Sequence, residues 1–152
     1  MRLYLVQHGE AMAEEVDPAR PLSEKGKTDV SKIAKFLKEK NIKADIIWHS
    51  TKKRAIQTAQ ILAEFIKPEQ GTTERQGLAP NDPVDKLHQE LTRENKDLMI
   101  VGHLPFLQKL SSLLLTGSEN CKVTTFSPGG VICFEQEDGS WHLMWAITPD
   151  LI

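Results

Sequence analysis

The feature that most restricts the fold is a set of short apolar runs separated by stretches of helical periodicity. Leu3-Tyr4-Leu5-Val6 and Leu98-Met99-Ile100-Val101 are unbroken runs, as expected of strands buried on both faces. Ala44 to Trp48 is a third strand candidate, and a short strand near Thr72-Thr73 is a fourth. Between them the period changes. From Ser23 to Lys40, Val30, Ile33, Ala34 and Leu37 fall on one helical face with charged residues opposite. Ser50 to Ile66 repeats the pattern through Ala55, Ala59, Leu62 and Ile66, with Ser50 or Thr51 as the expected N-cap and Pro68 as the stop. Asp85 to Glu94 reads as a polar helix anchored by Leu87 and Leu91, and Pro105 to Leu115 as an apolar one. Val131 to Gln136 and Trp141 to Ile147 flank a turn with Asp138-Gly139 at its centre, the mark of an antiparallel hairpin.

This order predicts an α/β fold: a three-layer α/β/α sandwich with a mixed, mostly parallel sheet and a C-terminal antiparallel hairpin. A length of 152 residues fits one domain, residues 1–152. Nineteen Lys and Arg against twenty-one Asp and Glu argue against a nucleic-acid binder, which carries a basic excess. Cys121 and Cys133 are too few for a disulfide scaffold and lack metal-ligand spacing. Leu3 to Val6 is too short for a signal-peptide core or a membrane span, so the expectation is a soluble cytoplasmic protein. Met12, Leu78, Trp48 and Trp141 are candidates either for an exposed apolar patch or for the core.

Polar residues just past the carboxyl ends of apolar strands are where open α/β sheets build ligand sites. Three such places occur: Gln7-His8-Gly9-Glu10, Ser50 to Thr58, and Gly102-His103. Neither His-Gly nor Gly-His is informative alone in a chain with five histidines and nine glycines. Their joint placement is what matters, because it brings two histidines and an arginine to one edge of one sheet. Each residue also has a plainer reading. Arg54 ends a Lys52-Lys53-Arg54 run that usually marks a solvated face, and Arg20 has acids nearby to pair with. A zinc site from His8, His49 and His103 finds no support in ligand spacing.

The motifs together resemble the histidine phosphatase superfamily, the phosphoglycerate-mutase-like fold. They are L-V-Q-H-G-E at 5–10, R-P-L-S-x-x-G at 20–26, S-x-x-x-R-A-x-Q-T at 50–58 and V-G-H-x-P at 101–105. The short chain looks like the SixA-type phosphohistidine phosphatase branch. The resemblance implies that His8 is a nucleophile, phosphorylated on a ring nitrogen and then released by water. Its other ring nitrogen is held, in the family, by a backbone carbonyl. It further implies a phosphate clamp from Arg54, a donor to the transferring oxygens from His103, and a further contact from Arg20. Neither a metal nor an organic cofactor is required. These parts suit phosphoryl transfer, which rests mostly on positioning and on stabilising charge over the equatorial oxygens.

Two positions depart from the family pattern. Gln7 stands where the family has arginine, so it keeps an N–H donor for the phosphate but loses the charge. A charge-assisted hydrogen bond exceeds a neutral one by about 1–2 kcal/mol, which weakens phosphate binding roughly fivefold to thirtyfold. Losing that neighbouring charge also implies a higher His8 pKa than in an R-H-G protein, with activity displaced to alkaline pH. Gly77 stands where relatives often carry a glutamate general acid, with Asp82 or Glu10 as substitutes. Without the acid, the substrate expectation moves to P–N bonds or activated phosphates, whose leaving groups need no proton. The leading expectation is therefore a monomeric phosphatase acting on a phosphorylated histidine-containing phosphotransfer protein. The alternatives are a phosphatase for a small phosphorylated substrate, and a catalytically weakened module that binds phosphate or a phosphoprotein.

Overall fold

The computed structural model describes all 152 residues. Six strands and four α-helices follow one another as β1 (Arg2–Gln7), α1 (Glu24–Glu39), β2 (Ile46–His49), α2 (Lys53–Ile66), β3 (Thr72–Glu74), α3 (Asp85–Leu91), β4 (Leu98–Gly102), α4 (Phe106–Thr116), β5 (Val131–Glu137) and β6 (Ser140–Ile147). The sheet order is β3-β2-β4-β1-β5-β6. β3, β2, β4 and β1 pair in parallel, whereas β5 is antiparallel to β1 and β6 to β5. This is the expected mixed sheet with a C-terminal hairpin.

The apolar runs divide by the two-residue period of a strand. Leu3, Leu5, Leu98 and Ile100 pack on one face with Leu87, Leu91, Phe106, Leu107 and Leu110 from α3 and α4. Tyr4, Val6, Met99 and Val101 pack on the other with Val30, Ile33, Leu37, Ala55, Ala59 and Leu62 from α1 and α2. An unbroken apolar run is thus a strand that serves two cores at once. Trp48, Leu78 and Trp141 are buried in the first core, which removes them from any exposed patch. No helix is long and apolar enough to cross a membrane.

Several helix ends differ from expectation. α2 starts at Lys53 with Lys52 as its N-cap and no side-chain cap bond. The Ser50 hydroxyl only accepts a long bond from Lys52 N–H, at 3.3 Å. It is engaged elsewhere, as described below. α3 stops at Leu91, three residues early, because beyond Leu91 the sequence offers no apolar residue to bury before Leu98. At α1 the cap is the expected kind: Ser23 accepts from Gly26 N–H at 3.0 Å.

Candidate active site

Parallel register assembles the site. Gln7 of β1 lies opposite Gly102 of β4, and His49 of β2 lies opposite Val101. Past these pairs the ladder continues for one bond on each side: His8 N–H donates to Gly102 O at 3.0 Å and Ser50 N–H to Val101 O at 3.3 Å. The next residues out are His8, Ser50 and His103, so three strand ends deliver three polar side chains to one point. The His8 and His103 rings stand 5.0 Å apart between centroids, tilted by 55°.

His8 is oriented through its backbone neighbour. Its Nδ1 lies 2.7 Å from Gly9 O, a carbonyl that can only accept, so Nδ1 carries the proton and Nε2 is bare. Arg54 Nε donates to that bare Nε2 at 3.3 Å. The Gly9 peptide is itself anchored: Gly9 N–H donates to Thr58 Oγ1 at 3.0 Å, and the Thr58 hydroxyl donates to Arg54 O at 2.8 Å. Gly9 packs against Val30, where a Cβ would lie 2.7 Å from Val30 Cγ2. From the far side, Gly129 N–H reaches Gln7 O at 3.0 Å and His8 O at 3.3 Å.

The loop after His8 is clamped onto α1. Ser23 N–H donates to Glu10 O, and a Cβ on Gly26 would lie 2.1 Å from that same oxygen. Leu22 N–H donates to Gln57 Oε1 at 2.7 Å, which ties the R-P-L-S segment to α2. Arg20 has φ of 47° and donates through Nε to Met12 O at 3.2 Å. Its charge reaches His8, Arg54 and His103. Neither Arg20 nor Arg54 pairs with a carboxylate, and Arg54 is half-buried with its Nε on His8, so neither a salt-bridged Arg20 nor a solvated Arg54 describes this structure.

The electrostatics follow from burial beside two free cations. Desolvation, followed by Arg54 and Arg20, pushes the His8 pKa down to about 4 although the Gly9 bond opposes the shift. Desolvation, then His8 and Arg54, pushes His103 down to about 3. Burial and then Arg20 pull the Arg54 guanidinium below its ordinary value. This environment holds His8 neutral with glutamine at position 7. His8 needs no arginine at position 7 to stay neutral, because desolvation is the leading cause and two other arginines supply the repulsion.

The structure brings together His8, Arg54 and His103, and sets Arg20 beside them. Gln7 ends β1 beside Gly102, and its Oε1 is buried without a partner. The two other candidates for a general acid are each engaged locally. Asp82 accepts from Ala79 N–H at 2.8 Å within its own loop, and Glu10 accepts from the Ser23 hydroxyl at 2.6 Å. Gly77 has φ of 87°, a left-handed conformation that disfavours any residue with a Cβ. His49 is held by Ser50 O at 2.9 Å, and the histidines form no metal-ligand cluster. The sequence places Ser50 to Thr58 at the site, but the roles of Ser50, Gln57 and Thr58 come from the structure. Their signal is the S-x-x-x-R-A-x-Q-T spacing itself, which by resemblance assigns a role to Arg54 alone.

The histidine phosphatase superfamily (branch 1) model matches residues 3–79, about half of the chain. The chain belongs to the histidine phosphatase superfamily. Membership supports a phosphatase. No curated protein matches the sequence. Among solved structures, the protein histidine phosphatase SixA complexed with tungstate superposes with a TM-score of 0.87 at 20% identity, covering 99% of each chain. A protein from Agrobacterium tumefaciens assigned as a phosphohistidine phosphatase SixA gives 0.79 at 21%, covering 97% of each. Phosphoserine phosphatase from Entamoeba histolytica with 3-phosphoglyceric acid gives 0.69 at 20%, covering 95% of each. At these identities the likeness establishes the phosphoglycerate-mutase-like fold.

Proposed function

We propose that this protein is a phosphohistidine phosphatase that transfers the phosphoryl group of a partner protein's phosphohistidine to His8 and then to water. One observation carries the reading: a neutral imidazole, anchored through Nδ1 with Nε2 bare, touches Arg54 and lies in the field of Arg20, and neither arginine has a carboxylate to neutralise it. Two unneutralised guanidinium groups beside a partly buried histidine fit a dianionic phosphoryl group, which supplies the missing charge.

In the resting site Arg54 Nε–H points into the His8 lone pair. An arriving phosphoryl group takes over that N–H with its own oxygens and frees Nε2 to attack phosphorus. The P–N bond of the substrate breaks as the His8 Nε2–P bond forms. The departing imidazole leaves neutral because its other ring nitrogen already carries a proton. Water then attacks the phosphoryl-His8 phosphorus, and His8 leaves as the imidazole held by Gly9 O, releasing inorganic phosphate. Arg54, Arg20, His103 and the Gln7 amide donate to the phosphoryl oxygens along this path.

The absence of a carboxyl acid at Gly77 favours P–N substrates over alkyl phosphate esters, whose alkoxide requires protonation. In this reading residues 1–152 work as one monomeric domain in the cytoplasm, within a signalling phosphotransfer route, without metal or organic cofactor. The test is phosphate release from a phosphohistidine-bearing phosphotransfer protein by the wild type and His8→Ala, with acid-labile phosphoenzyme trapped in parallel. Release and trapping that both depend on His8 support the reading. Binding without release supports a phosphoprotein-binding module, and equal turnover of a simple alkyl phosphate supports a small-ester phosphatase.

A further inference from the structure

Ser50 was expected to cap α2, yet its hydroxyl lies 2.6 Å from His103 Nε2. Both residues are buried, at 1% exposure each. The direction of that hydrogen bond follows from counting donors and acceptors. Ser50 Oγ already accepts from Lys52 N–H. Its one hydroxyl proton has no other acceptor than His103 Nε2. If Nε2–H donated instead, the Ser50 proton would be buried without an acceptor and His103 Nδ1 would be a buried lone pair without a donor. Native interiors rarely leave two such groups unpaired. Donation by Ser50 leaves one open group, His103 Nδ1–H, which is buried with no protein partner.

We propose that Ser50 is a positioning residue whose hydroxyl donates to His103 Nε2 and holds the ring as the Nδ1–H tautomer, keeping that N–H for a phosphoryl oxygen. The inference rests on the reading of the site as a phosphoryl-transfer centre, and it gives His103 a defined role there. His103 is a neutral, fixed donor at neutral pH, not an imidazolium. A neutral donor stabilises the transferring oxygens without adding a third full charge next to His8, which must itself remain uncharged to attack.

The ring nitrogens of His103 report the tautomer directly by 15N NMR of the ligand-free chain. The wild type is expected to show a protonated Nδ1 and a bare Nε2, and Ser50→Thr, which keeps the hydroxyl, to show the same pattern. Ser50→Ala is expected to mix the two tautomers and to bind tungstate, a tetrahedral oxyanion, about tenfold more weakly. A wild type with protonated Nε2 overturns the proposal, even if no variant folds. So does a Ser50→Ala chain with unchanged ring shifts. A Ser50-dependent Nδ1–H tautomer in a protein that releases no phosphate from phosphohistidine leaves the tautomer assignment standing and overturns the phosphatase reading instead.

Discussion

Replacing Thr58 by valine removes a hydroxyl while keeping the shape of a side chain that is completely buried. Its oxygen accepts the Gly9 N–H and its proton goes to Arg54 O. The second loss is small, because Arg54 O keeps its place in the α2 backbone ladder. The first leaves a buried N–H unsatisfied, at a cost of about 1–3 kcal/mol. For a chain of this size each kcal/mol moves the melting temperature by about 2–4 °C, so the variant should melt roughly 2–12 °C below wild type. Thr58→Ser is the control: it gives up one buried methyl, at about 1 kcal/mol, and keeps both hydrogen bonds. Phosphatase turnover should follow the same order, since Gly9 O is what holds His8 Nδ1. The assay is thermal or urea unfolding of the three proteins side by side. A Thr58→Val protein that melts with or above Thr58→Ser would refute the argument, because packing would then outweigh the Gly9 bond.

Other outcomes follow from the same geometry. With folded pKa values near 4 and 3 against 6.5 for free histidine, His8 and His103 take up protons more readily in the unfolded chain. Stability should therefore fall as pH drops from about 6.5 toward 4, and turnover should stay level from pH 8 to 6 and decline only near His8's own pKa. A pH–rate profile with half-maximal activity near 6.5 would contradict this. Gln7→Arg should tighten tungstate binding roughly fivefold to thirtyfold by adding a charge-assisted donor, read by calorimetry. No gain would mean that position 7 does not face the anion. Gly26→Ala places a Cβ against Glu10 O and must push the His8 loop away from α1; we expect a loss of stability together with activity, and a variant with wild-type melting and turnover would show the contact to be slack.

Much of the fold was legible because strand and helix periods are local. Leu3 to Val6 and Leu98 to Val101 have apolar residues at every position, which only a strand covered on both faces can bury, and the structure covers both. The α1 stripe of Val30, Ile33, Ala34 and Leu37 was likewise buried as read. The edges were less legible. α2 begins three residues after Ser50, because the serine hydroxyl is drawn to a histidine 53 residues away rather than to its own helix. The fate of the aromatic residues was also closed to sequence reasoning: Trp48 has its ring under the Arg75 guanidinium at 4.0 Å and is core, not patch.

Order and period along the chain are enough to say which residues lie at strand ends and that His8, Arg54 and His103 gather at one edge of a parallel sheet. Protonation and direction belong to the folded chain: which His8 nitrogen is bare, which group Ser50 serves, and that Arg20 and Arg54 lack counter-ions. So does the neutrality of His8 without an arginine at position 7. The physical reason is that a pKa or a tautomer is set by burial and by neighbours far away in sequence, and those distances exist only once the sheet has closed its register.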